Sequence, residues 1–385
     1  MRNYPKQLLL PTLLAIDNSA GPTGYDTDWG DNRIDPSDRA IHDWYRFVLS
    51  FPPHLVRNYL KDFELDRHHV LLDPFCGTGT TIVEAKKNKI ACIGIEANPI
   101  AHFACSVKVD WNIDPDGLVN HARIIADRIR KALLSAGMDD DVEFKGNAQE
   151  LNLNSLDEKA TKLLITNSIS PIPLHKTLIL LEGIREYQDC MYYKHELLAL
   201  ANALVLSISN LRFGPEVGVG KIKRDSQVIR PWLHEVGKIS RDLKEISEQD
   251  HPPATTRGVY KDDCDDSWIS NHPEIQRIAN EIEKRRLELG KTSGFEKLYS
   301  QVTRQYFGGM ARHLADLRGV LRDGAKLAYV VGDQASYLRI MIRTGQLLAD
   351  IAQTLGYEVL RIDLFRTRFA TATKEELREE VVVLR

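Results

Sequence analysis

The sequence is short of the features that would classify it at a glance. It has only five cysteines, Cys76, Cys92, Cys105, Cys190 and Cys264, with no CxxC pair and no zinc-ligand spacing among them. An odd, scattered set excludes a disulfide framework and fits packing residues in a reducing compartment. No apolar run is long enough to cross a bilayer: the N-terminal stretch "LLLPTLLAID" is broken by Pro11 and Asp17 and lacks a signal-peptide layout. These absences predict a soluble, cytoplasmic protein with no membrane partner and no metal. An excess of one charge is also missing. With 51 basic and 54 acidic residues the net charge is −3, so any nucleic-acid binding must come from a local basic face. No internal repeat is visible. What is present is a chain of 385 residues, 43% of them hydrophobic, enough for one large elaborated domain or two ordinary ones.

Residues 1–40 are turn-rich, with Gly21, Pro22, Gly24, Gly30 and Pro36, and read as an N-terminal arm. From 41 to 111 the pattern is α/β. Pro52 and Pro53 punctuate a helix carrying Leu55, Val56, Tyr59 and Leu60, "HHVLLDPF" is a buried strand, "GTTIVEAKKNK" a helix and "IACIGIEANP" a second buried strand. Strand, glycine turn, helix and strand in this order make a βαβ unit. Residues 112–253 read as a mostly helical insertion, interrupted by the glycine-rich, basic "RFGPEVGVGKIKRD". Residues 254–385 return to α/β. "AKLAYVVGD" is a strand, "SYLRIMIRTGQLLADIAQTLG" one amphipathic crossover helix stopped by Gly356, and "YEVLRIDLFRTR" with "EEVVVLR" an antiparallel edge hairpin.

The stretch "LLDPFCGTGTTIVEA" carries the chemistry. It is not a P-loop, because Thr80 and Thr81 follow Gly79 where a lysine would be needed. It is not a dinucleotide fingerprint, because the third glycine is missing. A plain structural turn, with Phe75 and Cys76 packed beneath it, stays open. The alternative is a loop for a neutral or cationic nucleoside: Gly77 and Gly79 permit close backbone approach, and Asp73 offers a carboxylate to a positively charged amino-acid moiety. Glu96 ends the second strand 23 residues after Asp73, where a carboxylate accepts both hydroxyls of a ribose. Together these describe a site for S-adenosyl-L-methionine.

"DPFCGTGTT" resembles the glycine motif of the amino-methylating DNA methyltransferases, which modify N6 of adenine or N4 of cytosine. "SFPPHLVRNYL" is similar to the segment that closes over the methionine end of their cofactor, and "GIEANPIA" to their second motif. The resemblance implies a Rossmann-like methyltransferase sheet with a terminal antiparallel hairpin and a helical insertion for target recognition. It implies cofactor contacts from Phe51, Pro52, Asp73, Pro74, Phe75, Cys76, Gly77, Thr78, Gly79, Thr80, Thr81, Glu96 and Asn98. It further implies double-stranded DNA with a flipped base as substrate, and subunits of a restriction-modification or defence system as partners.

The same resemblance implies a catalytic tetrapeptide, Asp/Asn/Ser-Pro-Pro-aromatic, which holds the target amino group and stacks the base. No such tetrapeptide occurs in the chain. The degenerate candidate is Ser170-Pro171-Ile172-Pro173, preceded by a possible strand over Leu163 to Thr166. The other reading is that a strand-plus-tetrapeptide segment is missing near His251 to Thr256, where two polar fragments meet abruptly. Three functions therefore stand: a DNA methyltransferase, an inactive methyltransferase-like subunit that binds cofactor or nucleic acid, and an RNA methyltransferase. Candidate phosphate contacts are Lys221, Lys223 and Arg224 in the insertion, Lys284, Arg285 and Arg286, and Arg366, Arg368 and Lys374 by the last hairpin, each set weighed against an ordinary solvated face.

Overall fold

In the computed structural model, residues 34–46, 50–146, 151–213, 217–246, 252–258, 265–370 and 374–385 are described. Most of the N-terminal arm lies outside them. The chain divides into two compact units, one from Asn32 to Tyr260 and one containing Lys261–Arg385. Among the described residues no helix is long and apolar enough to cross a membrane.

The first unit opens with α1 (Pro53–Asp62), started by the rigid Pro52–Pro53 pair and burying Leu55, Val56, Tyr59 and Leu60. Next come β1 (Val70–Asp73), α2 (Thr80–Lys87), β2 (Ala91–Glu96) and α3 (Pro99–Lys108). The helical stretch contains α4 (Pro115–Ser135), α5 (Glu158–Leu163), α6 (Pro171–Arg185) and α7 (Tyr193–Ala203). A short ribbon, β3 (Leu211–Phe213) and β4 (Val217–Val219), precedes α8 (Ile229–Ile246) and β5 (Ala254–Gly258). The sheet has the order β1-β2-β5, and both ladders are parallel.

Two expectations are corrected here. The junction near His251–Thr256 is not a gap: Ala254–Gly258 pairs with Cys92–Glu96, so polar "ATTRG" is a strand. Its threonines and exposed edge position hid it from hydrophobic periodicity. A missing strand-plus-tetrapeptide segment would therefore follow Gly258, and residues 259–264 lie outside the described set. Likewise Leu163 to Thr166 is no strand, because α5 ends at Leu163 and a turn follows.

The insertion shares one apolar core with the cofactor half: Ile125 and Ile129 of α4, Leu180 of α6, Leu198 of α7 and Trp232 of α8 join Ile82 and Val83 of α2. Buried charges inside it are paired. Lys176 Nζ lies 2.9 Å from Asp225 and 3.5 Å from Asp140. Asp140 in turn accepts the N–H groups of Val228 and Ile229 at the start of α8.

The second unit holds α9 (Pro273–Glu288), α10 (Tyr299–Arg318), β6 (Leu327–Gly332), α11 (Thr344–Thr354), β7 (Val359–Ala370) and β8 (Glu375–Leu384). Its sheet order is β6-β8-β7, antiparallel throughout, so the expected hairpin is present. The expected long crossover helix is shorter than its periodicity suggests. Leu338 and Arg339 adopt left-handed φ of 57° and 66° in a turn bridged by Gln334 and Ile342, and only Thr344–Thr354 is α-helical. The packing of Tyr337 on Tyr299, with ring centroids 4.3 Å apart, accompanies that turn.

Within the first unit, Glu84 of α2 is fully buried. His42 Nε2 lies 2.8 Å from it, Arg57 Nη1 2.9 Å and Lys87 Nζ 3.7 Å. Arg57 and Lys87 supply the balancing charge, so His42 is neutral and donates Nε2–H. Its burial lowers the imidazole pKa to about 4, against the opposing pull of Glu84. A folded pKa below the unfolded value means that protonation favours unfolding. Stability is thus expected to fall as pH drops from about 6.5 to about 4, by about 3 kcal/mol from this residue. Urea unfolding across that window should show a slope that His42→Gln removes, and an unchanged slope contradicts the assignment.

Candidate functional site

The loop after β1 is shaped by two glycines and one close contact. Gly77 has φ of 53° and Gly79 φ of 92°, both in the left-handed region that side chains disfavour. A Cβ on Gly79 would sit 2.7 Å from Cys105 Sγ and 3.3 Å from Cys105 Cα, so the loop lies directly on α3. Gly79 N–H donates to Cys76 C=O at 2.8 Å, and Cys76 N–H to Ile95 C=O at 3.0 Å, joining the loop to β2. Cys76 is buried as expected, whereas Phe75 is exposed and does not pack beneath the loop.

Three polar side chains surround this turn. Glu96, at the end of β2, accepts Gly77 N–H at 2.8 Å on one carboxylate oxygen and Asn98 N–H at 2.7 Å on the other. Both oxygens are oriented and keep lone pairs for further donors. Asn98 caps α3 through Ile100 N–H and Ala101 N–H. Asp73, at the end of β1, accepts Phe75 N–H at 3.0 Å and is also hydrogen-bonded to Thr81. Burial raises its pKa, and among the described residues no cation pairs with it. A positively charged ligand is what such a carboxylate lacks.

The structure thus brings Asp73, Pro74, Phe75, Cys76, Gly77, Thr78, Gly79, Thr80, Thr81, Glu96 and Asn98 around the ends of two adjacent parallel strands. Thr78 and Thr80 are buried and belong to the framework of the turn. Phe51 and Pro52 stand at the start of α1, which packs on α2, the helix that this loop opens. Two residues that sequence reasoning missed are Cys105, the surface on which Gly79 rests, and Ile100, an exposed apolar side chain beside Asn98. The helical spacing of Ala101, Ala104 and Cys105 was the available signal for a close approach.

Other expected site residues lie elsewhere. Ser170 is the N-cap residue of α6 with Pro171 at its first position, a helix start and not the strand end that the resemblance implies for the catalytic tetrapeptide. Ser170 is buried, donates its hydroxyl to Lys223 C=O and accepts from Asn210 Nδ2. Lys223 Nζ donates to Ser207 C=O and Arg224 to Gly146 C=O, so only Lys221 of that trio has no partner among the described residues. Arg366 is held on Glu379 by two bonds of 2.6 and 2.7 Å, and exposed Arg368 lies 3.9 Å from the same carboxylate. Arg286 pairs with Glu283, and Arg285 with Glu288.

Two outcomes test this geometry. Gly79→Ala is expected to lose about 2–4 kcal/mol of stability through strain and overpacking, and adding Cys105→Ala should recover part of it. No recovery in thermal melts means that Cys105 does not set the loop. Glu96→Ala is expected to weaken S-adenosylhomocysteine by about 1–3 kcal/mol in calorimetry. Unchanged affinity removes Glu96 from the ribose role.

Residues 22–103 match the sequence profile of the DNA methylase family of N6 and N4 methyltransferases. Among curated proteins the chain is similar to the type II methyltransferase M.BsoBI of Geobacillus stearothermophilus, at 24% identity over 221 residues. That alignment covers 57% of this chain and 36% of the relative, so the chain spans little more than a third of the length of the protein it matches. No solved structure matches. Both matches make this chain similar to the amino-methylating DNA methyltransferases, a family of enzymes, and the glycine loop lies within the matched residues.

Proposed function

We propose that the chain is an S-adenosyl-L-methionine-binding methyltransferase of Rossmann-like fold, directed at an exocyclic amino group of double-stranded DNA, N4 of cytosine or N6 of adenine. The observation that carries the reading is Glu96, whose two oxygens are fixed by Gly77 N–H and Asn98 N–H at the mouth of the glycine loop. Bound there, the cofactor would supply an electrophilic methyl group. The chain's own residues orient it: Glu96 takes the ribose hydroxyls, Asp73 faces the ammonium end, and the glycine turn admits the backbone at close range. Ile100 and Phe75 offer apolar surface to the adenine or the sulfonium side. The reading extends to a restriction-modification or defence setting in the cytoplasm, for which similarity to a type II methyltransferase is the support.

Holding the donor is half of the reaction. Transfer to an aromatic amine also needs a polarised, in-line acceptor, and positioning of this kind is worth about 7–11 kcal/mol of barrier. Two features favour the reading that this chain, as written, lacks that half. The tetrapeptide is absent from the sequence, and Ser170-Pro171 opens a helix. Among the described residues β1 pairs with β2 alone, while Val70 and Leu72 on β1 and neighbouring Ile93 on β2 are exposed. Parallel strands are ordinarily covered on both faces, so an apolar edge of this kind is incomplete.

The expected outcome is cofactor binding without methyl transfer. Tritiated-methyl incorporation into mixed genomic DNA, with protein whose intact mass agrees with 43.7 kDa, checks it. Robust incorporation overturns the missing-strand reading, and absence of cofactor binding overturns the methyltransferase reading itself.

A further inference from the structure

Three buried thiols, Cys76, Cys92 and Cys105, lie in and around the glycine loop, and the methyltransferase reading leaves them unused. They are not equivalent. Cys76 Sγ lies 3.8 Å from Cys105 Sγ and points its S–H at it as a weak donor. Cys92 is directed elsewhere, its Sγ 3.6 Å from Ile82 C=O. The close pair is therefore Cys76 with Cys105, 29 residues apart, one on the loop and the other in α3.

Each sulfur of this pair sits where a backbone approaches closely. A Cβ on Gly79 would lie 2.7 Å from Cys105 Sγ, and a Cβ on Gly94 of β2 would lie 2.9 Å from Cys76 Sγ. Loop, sheet and helix thus meet at the two sulfurs with glycines on the facing positions. Cys76 also ties the loop down: its N–H donates to Ile95 C=O at 3.0 Å and its C=O accepts Gly79 N–H at 2.8 Å. The next residue, Gly77, donates its N–H to Glu96 at 2.8 Å. A disulfide needs its sulfurs about 2.05 Å apart, so bonding the pair requires a contraction. Cys105 is held inside a helix, with Val109 N–H on its C=O, and the displacement falls on the loop. Gly77 N–H then leaves the carboxylate that it orients.

We propose that Cys76 and Cys105 form a redox switch at the cofactor loop: hydrogen peroxide joins them in a disulfide, which releases Glu96 and lowers affinity for the cofactor. One sulfur attacks a peroxide oxygen, the O–O bond breaks, and the thiol proton leaves with the departing hydroxide as water, giving a sulfenic acid. The second thiol attacks that sulfur. An S–S bond replaces the S–O bond, and the hydroxyl leaves with the second thiol proton as another water. Two thiols are oxidised and one peroxide is reduced to two waters. With its partner 3.8 Å away, the sulfenic acid is captured before it can oxidise further. The hydrogen bond to Cys105 and burial push the Cys76 thiol pKa up, which protects the pair from bulky disulfides and leaves a small, uncharged peroxide as the oxidant that fits. The effect on affinity rests on the cofactor reading of the loop, whereas the disulfide itself does not.

The test treats reduced wild-type protein with hydrogen peroxide, alkylates the remaining thiols, and reads the product by peptide mapping without reductant and by calorimetry with S-adenosylhomocysteine. The expected product is a Cys76–Cys105 cross-link, resolved from Cys92 by fragment-ion sequencing. Affinity for S-adenosylhomocysteine should fall by roughly 10- to 100-fold, the loss that accompanies one hydrogen bond to a charged group. Dithiothreitol should restore it. In Cys105→Ala, peroxide should leave the affinity where it stood before treatment. Recovery of Cys76 and Cys105 as alkylated thiols, or a cross-link through Cys92 instead, overturns the proposal. A Cys76–Cys105 cross-link with unchanged affinity overturns the switch and leaves the cofactor reading standing. Failure of the reduced protein to bind S-adenosylhomocysteine overturns the cofactor reading and the switch with it, whether or not the cross-link forms.

Discussion

The close approach of Gly79 to Cys105 is the constraint on which the candidate site depends. It leaves no room for a Cβ, and the backbone there is also left-handed, so glycine is required on two counts where the loop passes into α2. With the turn pressed on α3, the Gly77 N–H is aimed at Glu96, and Glu96 can then bridge to Asn98 N–H. Loop, second strand and third helix are in this way locked by a steric contact and two charge-assisted hydrogen bonds, before any ligand is present.

Buried charge is handled in contrasting ways. In α2, the Glu84 carboxylate is satisfied by His42, Arg57 and Lys87, and the ion is compensated inside the protein. In the insertion Lys176 is neutralised by Asp140 and Asp225. At the mouth of the loop Asp73 has hydrogen-bond donors but, among the described residues, no cation, and burial pushes its pKa up. A carboxylate at a strand end that has donors and, among the described residues, no cation fits a cationic ligand.

The helical insertion is part of the same body as the cofactor half. Trp232 of α8 donates Nε1–H to Glu196 C=O of α7, His121 of α4 lies 2.7 Å from the Glu196 carboxylate, and Trp44 donates to Asp242 of α8 at 2.7 Å. These bonds cross between segments far apart in sequence.

Much of this was legible in the sequence. Apolar runs bounded by breakers gave β1 and β2 as strands, although Val70 and Leu72 of β1 are exposed and not buried, the Pro52–Pro53 pair gave the start of α1, and the insertion was legible as mostly helical. The glycine loop and Glu96 were legible because φ above zero needs glycine, and a carboxylate ending a strand needs a donor. Tertiary structure alone decided the rest. Polar Ala254–Gly258 became a strand because β2 offered it an edge, and Leu338–Arg339 broke a periodic helix to form a turn beside Tyr299. Ser170 became a helix cap, and Lys223 and Arg224 became carbonyl clasps, while Lys221 has no partner among the described residues. Sequence spacing names the residues that can donate or accept, but which partner each one meets is fixed only when distant segments pack.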